Sequence, residues 1–262
     1  MVSERFANNL GDAILTQGDP EIAAASIPTF LVMMDSLVLE SPENPAILSA
    51  SANLTGAYAT LFVSDTERAQ QLSDKSLQHA RTAVCQELEE LCLPDNTSLE
   101  DFQQALARAD KDDVDLLYTY GAAWAGWIQA HKEDWDGLAQ VLKVEAVMKR
   151  VVELNENHEW GRAHLYLAVI NSQLPPALGG KPEKGRMHFE KAIEISKGND
   201  LIAKVEFARH YARLLFEQVL HDQLLTEVVN AKPGIAKLNL SNALAKQQAQ
   251  ELLSTSQEYF EE

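Results

Sequence analysis

Apolar residues recur every three or four positions through most of this 262-residue chain, the spacing that places them on one face of an α-helix. Read in order, the pattern predicts a helix over 4–16 with Phe6, Leu10, Ile14 and Leu15 on one side. Asp19-Pro20-Glu21 starts a second helix that runs to about Glu40, with Pro28 as a point of division. A third, over 46–63, carries Leu54, Tyr58, Leu61 and Phe62. Ser64-Asp-Thr-Glu67 reads as a capping box for a fourth that reaches Leu91, with Leu77, Ala80 and Val84 inward. A short helix follows from Ser98 to about Ala109, then one over 113–131. Asp134 caps a helix over 135–154 whose inner face is Leu138, Leu142, Val147, Met148, Val151 and Leu154. Helices over 158–173, 182–197, 200–218, 220–230 and 239–260 complete the pattern. Met187, Phe189, Ala192, Ile193 and Ile195 form the stripe of the 182–197 helix, and no segment reads as a strand.

The connector Leu174-Pro-Pro-Ala-Leu-Gly-Gly180 interrupts this series. Two prolines stop the incoming helix, two glycines permit a sharp bend, and Pro182-Glu183 suits the first turn of the next helix. A turn that only reversed the chain would be shorter. The expectation is an ordered loop that covers one end of a groove or meets a partner, with Leu178 as its apolar contact. The plainer alternative is a cap packed on its own hairpin. The helices pair, and the first of each pair carries a tyrosine near its middle: Tyr58, Tyr120, Tyr166 and Tyr211. Their intervals are unequal and exceed the ~34 residues of a tetratricopeptide unit. The expected fold is therefore all-α, an irregular array of tetratricopeptide-like helical hairpins forming an α-α superhelix. It is read as one repeat domain over 1–262, with N-terminal hairpins to about 110 and C-terminal hairpins over about 111–262.

Composition fits this reading: 46% hydrophobic and 23% charged residues suffice for a packed core. Net charge is -17, and the acid excess is concentrated early, since residues 1–110 hold 5 Lys+Arg against 17 Asp+Glu. Such a surface repels phosphate backbones and anionic lipid, which excludes nucleic acid and a bare anionic membrane as expected partners. No run of about 18 apolar residues is apparent, and Met-Val-Ser-Glu-Arg is too polar for a signal peptide. Cys85 and Cys92, on a continuous helix, would share a face ~10 Å apart, too far for a disulfide. A bend after Leu91 would bring them closer, but the favoured reading is two small buried side chains.

Catalytic spacing is scarce. His158 and His164 are six apart rather than four, Gly179-Gly180 lacks a following Lys-Ser/Thr, and no serine sits in a nucleophile elbow. No motif calls for a metal or a cofactor, and the chain is read as no enzyme. Tyr120, Trp124 and Trp127 lie on neighbouring turns of one helix. That spacing is more often core, and the functional alternative is an apolar ligand groove between hairpins, to which His164, Tyr166 and Asn171 would contribute. Arg209, Arg213, His221 and Asp222, with His210, form the densest polar cluster near the end. It reads as a salt-bridged helix surface or as the polar end of a ligand or partner site.

Several stretches in a fixed order carry a resemblance: Arg5-Phe-Ala-Asn-Asn-Leu-Gly-Asp-Ala-Ile-Leu15, Leu174-Pro-Pro-Ala-Leu-Gly-Gly180, His188-Phe-Glu-Lys-Ala192, Ala208-Arg-His-Tyr-Ala-Arg213, His221-Asp-Gln-Leu-Leu225 and Ala245-Lys-Gln-Gln-Ala-Gln-Glu-Leu-Leu253. Together they resemble the TatT component associated with tripartite ATP-independent periplasmic (TRAP) transporters, over nearly the whole chain. The resemblance implies a non-enzymatic periplasmic accessory protein that works beside a solute-binding protein. It implies a lipid anchor upstream of Val2, a homo-oligomer such as a trimer, and an apolar small molecule as a possible ligand. The alternative is an interaction scaffold with no ligand of its own. Two positions depart from the family pattern. Lys181 stands where an Asp or Asn cap is expected and Gly185 where Ala is expected, each weakening that helix start by about 0.5–1 kcal/mol.

Overall fold

Capping chemistry sets the helix starts. Asn44 accepts from the backbone N–H groups of Ala46 (3.0 Å) and Ile47 (3.2 Å), and Pro45 fills the first helical position. Asp65, rather than Ser64, caps the next helix, accepting from Arg68 N at 2.8 Å. Ser98 accepts from Asp101 N at 3.1 Å. Asp110 and Asp113 form a reciprocal capping box.

The structure is a computed structural model and describes residues 2–94, 96–133 and 140–261. It is 79% helical, with no strand among the described residues. The α-helices are α1 (Val2–Leu15), α2 (Pro20–Glu40), α3 (Pro45–Phe62), α4 (Thr66–Glu87), α5 (Leu99–Leu106), α6 (Val114–Ala130) and α7 (Val141–Asn155). They continue as α8 (Arg162–Asn171), α9 (Pro182–Ile195), α10 (Ile202–Phe207), α11 (Gln218–Asn230), α12 (Asn239–Ser254) and α13 (Ser256–Glu261). The expected Asp134 cap and Leu138 lie outside the described residues.

The helices group into two units: residues up to Ile14 with Glu21–Asn155, and Leu15–Pro20 with Glu156–Glu262. In the first unit α3 packs on α4, both pack on α6, and α6 packs on α7. Ile47, Leu48, Ala80, Val84, Leu117, Val147, Met148 and Val151 are buried between them. In the second unit α8 packs on α9, and α10, α11 and α12 pack together. Phe189 and Phe207 stack at 4.9 Å beside buried Tyr211, Leu225, Val228, Ala245 and Ala249.

Several expectations are corrected. The fourth helix ends at Glu87, not Leu91; the chain turns at Leu88 into a 3-10 turn over Glu89–Leu91. That bend, earlier than Leu91, brings the Cα atoms of Cys85 and Cys92 to 4.7 Å, and the two cysteines are joined in a disulfide. The favoured reading of two small buried side chains is corrected: Cys85 is half-buried and Cys92 exposed. Pro28 lies inside an unbroken α2. This helix also carries an 18-residue window of mean hydropathy 1.9, only 22% buried, so among the described residues one helix is long and apolar enough to cross a membrane by length and composition. The 158–173 helix starts late because Glu159, Trp160 and Gly161 adopt positive φ. The 200–218 helix passes through a π-turn at Ala208–Ala212 and stops at Phe216, and the last helix breaks at Thr255.

Leu142 and Met187, expected inward, are exposed, and Leu154 is half-buried. Gly185 is a requirement rather than a weakness. A Cβ there would lie 2.0 Å from Ser172 Oγ and 2.9 Å from Ala168 O, so only glycine lets α8 and α9 approach this closely. The connector is ordered. Pro176–Leu178 form a 3-10 turn, Gly179 is left-handed (φ 86), and Lys181 N donates to Asn171 O at 3.0 Å, closing the loop onto the end of α8.

Candidate functional site

The residues singled out in the sequence fall in both units. In the first, Tyr120 and Trp124 are buried on α6, with ring centroids 5.0 Å apart, and Phe102 of α5 meets Trp124 edge-on at 5.8 Å. Two cations that the sequence did not mark join them. The Arg81 guanidinium lies 6.0 Å from the Trp124 ring, and Lys143 Nζ lies 5.9 Å from Phe102. Arg81, Lys143, the three rings and Leu91 of the disulfide-closed turn line a cavity of about 10 Å³. That volume holds about one water, and Tyr120 and Trp124 are buried beside it. Trp127 lies at the partly exposed seam with α4. Its Nε1 donates to Asp74 at 2.7 Å, and its ring stacks on His131 at 4.6 Å.

In the second unit His164 is buried, and its Nδ1 lies 2.9 Å from Nδ1 of His188, so one ring donates and the other accepts. Burial lowers the His164 pKa, with Glu156 opposing that shift and Lys191 adding to it. Asn171 Nδ2 donates to Leu167 O within α8, Tyr166 is half-buried, and Leu178 is 68% exposed on the connector.

The polar cluster near the end is organised around His221, which is fully buried. Arg213 Nε donates to His221 Nε2 (3.3 Å), so the ring proton sits on Nδ1 and donates to Asp222 Oδ1 (2.8 Å). Ser256 Oγ donates to the same carboxylate oxygen at 2.6 Å. A serine held by the carboxylate instead of the imidazole is not arranged as a nucleophile with its base. Burial is the main cause that lowers the His221 pKa, and the hydrogen bond to Asp222 works against it. Arg213 also donates to Thr255 Oγ1 (3.3 Å) and lies 4.4 Å from the Tyr259 ring centroid. Next to it, Arg209 pairs with Glu206 and donates to Gln248 Oε1 at 2.8 Å. Burial pushes the Glu206 carboxyl up, but hydrogen bonding from His210 and the charge of Arg209 prevail, and its pKa is lowered.

These contacts fix α13 beside the π-turn, and α13 in turn braces Phe216. Phe216 stacks on Tyr259 at 6.2 Å and meets Phe260 edge-on at 6.3 Å. Its backbone is left-handed (φ 57), unusual for an aromatic residue, yet its side chain is 66% exposed. Phe216, Val219 and Leu220 line an open groove of about 530 Å³ with Arg186, Glu217, Gln218 and Gln223. The Arg186 guanidinium is held by Glu190 (2.9 Å) and lies 5.7 Å from the Tyr211 ring centroid; the Glu190 hydrogen bond comes first among the causes that raise its pKa. None of the groove-lining residues was marked in the sequence. Arg213 and His221 were marked, and they stand behind it as supports. The missed signal is Phe216 itself, which reads as one more apolar position of a continuing helix because a left-handed φ leaves no trace in the residue pattern.

No curated protein sequence matches the chain. A family model does, that of the TRAP transporter T-component (TAtT), over residues 16–260. The chain therefore belongs to the TRAP transporter T-component family.

Proposed function

We propose that this chain is a non-enzymatic accessory protein of a TRAP-type transport system that docks the system's solute-binding protein and holds an apolar small ligand in the groove beside Phe216. The groove carries the ligand reading. An exposed aromatic residue held in a strained backbone conformation, braced by two further rings, is a feature that folding alone does not favour. Family membership supports the transport role. The Cys85–Cys92 disulfide suits an oxidising compartment and so supports a periplasmic setting. In this reading a lipid anchor upstream of Val2 tethers the protein, it works as a homo-oligomer, and Leu178 on the ordered connector meets the partner.

Two measurements on the full chain test this. Mass spectrometry of small molecules released from native protein should find an apolar compound, and Phe216→Ala should lose it. Titration calorimetry with the solute-binding protein of the same system should show binding that weakens with salt, since acidic rim charges steer it. Partner binding without any released compound would leave a scaffold with no ligand of its own. No binding of either would end the proposal.

A further inference from the structure

The network behind the Phe216 groove holds together only while His221 is neutral. Its ring is fully buried, and Nε2 accepts from Arg213 Nε at 3.3 Å. Arg213 carries N–H donors and no acceptor, so it has nothing to offer a second donor. A proton added to Nε2 would set two donors and two positive charges face to face. Asp222 favours that proton through its hydrogen bond to Nδ1 at 2.8 Å. Burial first, and then the charge of Arg213, outweigh it, and the His221 pKa is lowered. Arg213, which follows the π-turn, and Asp222 of α11 are the charged groups that act on the ring. Glu217 meets His221 through its backbone carbonyl, at 3.0 Å. From α13 come the Ser256 hydroxyl, turned to Asp222, and the Phe260 ring, edge-on at 5.2 Å, neither of them charged.

Arg213 also holds α13. It donates to Thr255 Oγ1 (3.3 Å), at the break before that helix, and its guanidinium lies 4.4 Å from the Tyr259 ring centroid. Tyr259 stacks on Phe216, and Phe260 meets Phe216 edge-on. Phe216 keeps its left-handed backbone against those two rings. One side chain thus joins a buried titrating ring to the wall of the groove, and all of these residues belong to the second unit.

We propose that the Arg213–His221 contact is an acid-sensitive latch on the groove: protonation of His221 expels Arg213, frees α13 and lets Phe216 leave its place, so that the apolar ligand is released. The proposal rests on the reading of that groove as the ligand site. Its direction follows from linkage. With the latch closed His221 resists protonation; with α13 displaced the ring is solvated and titrates near its ordinary value of about 6.5. The open form therefore binds more protons. It gains about tenfold on the closed form for each pH unit below that value, until the closed form is protonated as well. Ligand is held near neutrality and let go in acid.

The test titrates the full chain with N-phenylnaphthylamine, an uncharged apolar fluorophore, at pH 7.5 and 5.5, and follows amide hydrogen exchange over 256–261 without the probe. Probe affinity should fall at least about threefold in acid, with circular dichroism unchanged. Relative to His221→Gln, exchange over 256–261 should quicken about tenfold at pH 5.5 and not at pH 7.5. His221→Gln, whose amide stays neutral, should bind the probe equally at both pH values. So should Arg213→Gln, whose amide turns from donor to acceptor when His221 takes a proton; this variant decides the matter if the first does not fold. His79→Gln, which alters a half-buried histidine of the first unit, should keep the native pH dependence. Binding that is lost in Phe216→Ala but is the same at both pH values overturns the latch and leaves the ligand site standing. No probe binding, or equal binding by Phe216→Ala, removes the site and the latch with it. The latch also falls if helicity is lost together with binding at pH 5.5, if exchange over 256–261 shows no such response, or if the glutamine variants at 213 and 221 keep the native pH dependence.

Discussion

At the scale of single residues, the second unit depends on a buried ion pair that has no sequence signature. Asp200 is 2% exposed and receives both Arg162 Nε (2.7 Å) and Arg162 Nη2 (3.1 Å); Nη2 also reaches Ser241 Oγ at 3.1 Å. This bidentate contact ties α8 to the residues before α10 and to α12. Such a pair adds little over an apolar substitute, but removing one partner leaves a buried charge. Arg162→Ala should therefore cost about 3–5 kcal/mol, read from the urea midpoint at constant slope. A loss below about 1 kcal/mol would mean that Asp200 is solvated after all.

At the scale of elements, the turn after α4 is set by covalent chemistry. The Cys85–Cys92 bridge closes a short loop that carries Leu91, 4% exposed, against the cation-lined aromatic core. Cys85→Ser with Cys92→Ser should destabilise the first unit by about 2–3 kcal/mol, the chain-entropy value for so short a loop. Reductant should lower the native thermal midpoint and leave the double variant unaffected. An equal response of both proteins would place the effect elsewhere. The connector shows a second element-scale lesson. Gly180 lies where a Cβ would come within 1.7 Å of Leu174 O, so the bend that closes the loop onto α8 tolerates no side chain.

At the scale of the whole molecule, pH should act through three histidines. Burial lowers the pKa of His79, near Lys75, Asp35 and Ser51; of His164, near Glu156, Lys191 and His188; and of His221, near Arg213 and Asp222. Each is held neutral in the folded chain, while the unfolded chain takes up protons below about pH 6.5. The unfolded state then binds more protons, so stability is fully present above that pH and falls as pH drops below it, levelling off beneath the folded pKa values. Urea unfolding at pH 7.5, 6.5 and 5.5 should show a falling midpoint. His221→Gln, whose amide can still meet Asp222 and Arg213, should flatten the slope. A midpoint constant over this range would show that the histidines protonate in place.

What the sequence determined by itself was the helical class, the approximate helix boundaries and much of the core. Leu77, Ala80, Val84, Val147, Met148, Val151, Phe189 and Ala192 are inward as their spacing requires, because helical period and burial are both local patterns. The family resemblance was legible for the same reason, as an ordered series of local words, and the family model matches residues 16–260, beyond the first of those words. Tertiary structure decided the rest. Tyr120 and Trp124 are buried in a cluster that Arg81 joins from α4 and Lys143 from α7. The disulfide depended on a bend at Leu88, the groove on a left-handed Phe216 braced by α13, and the need for Gly185 on how closely α8 approaches α9. Each is fixed by atoms distant in the chain or by a backbone angle that residue identity does not encode, and it emerges only when the helices are packed.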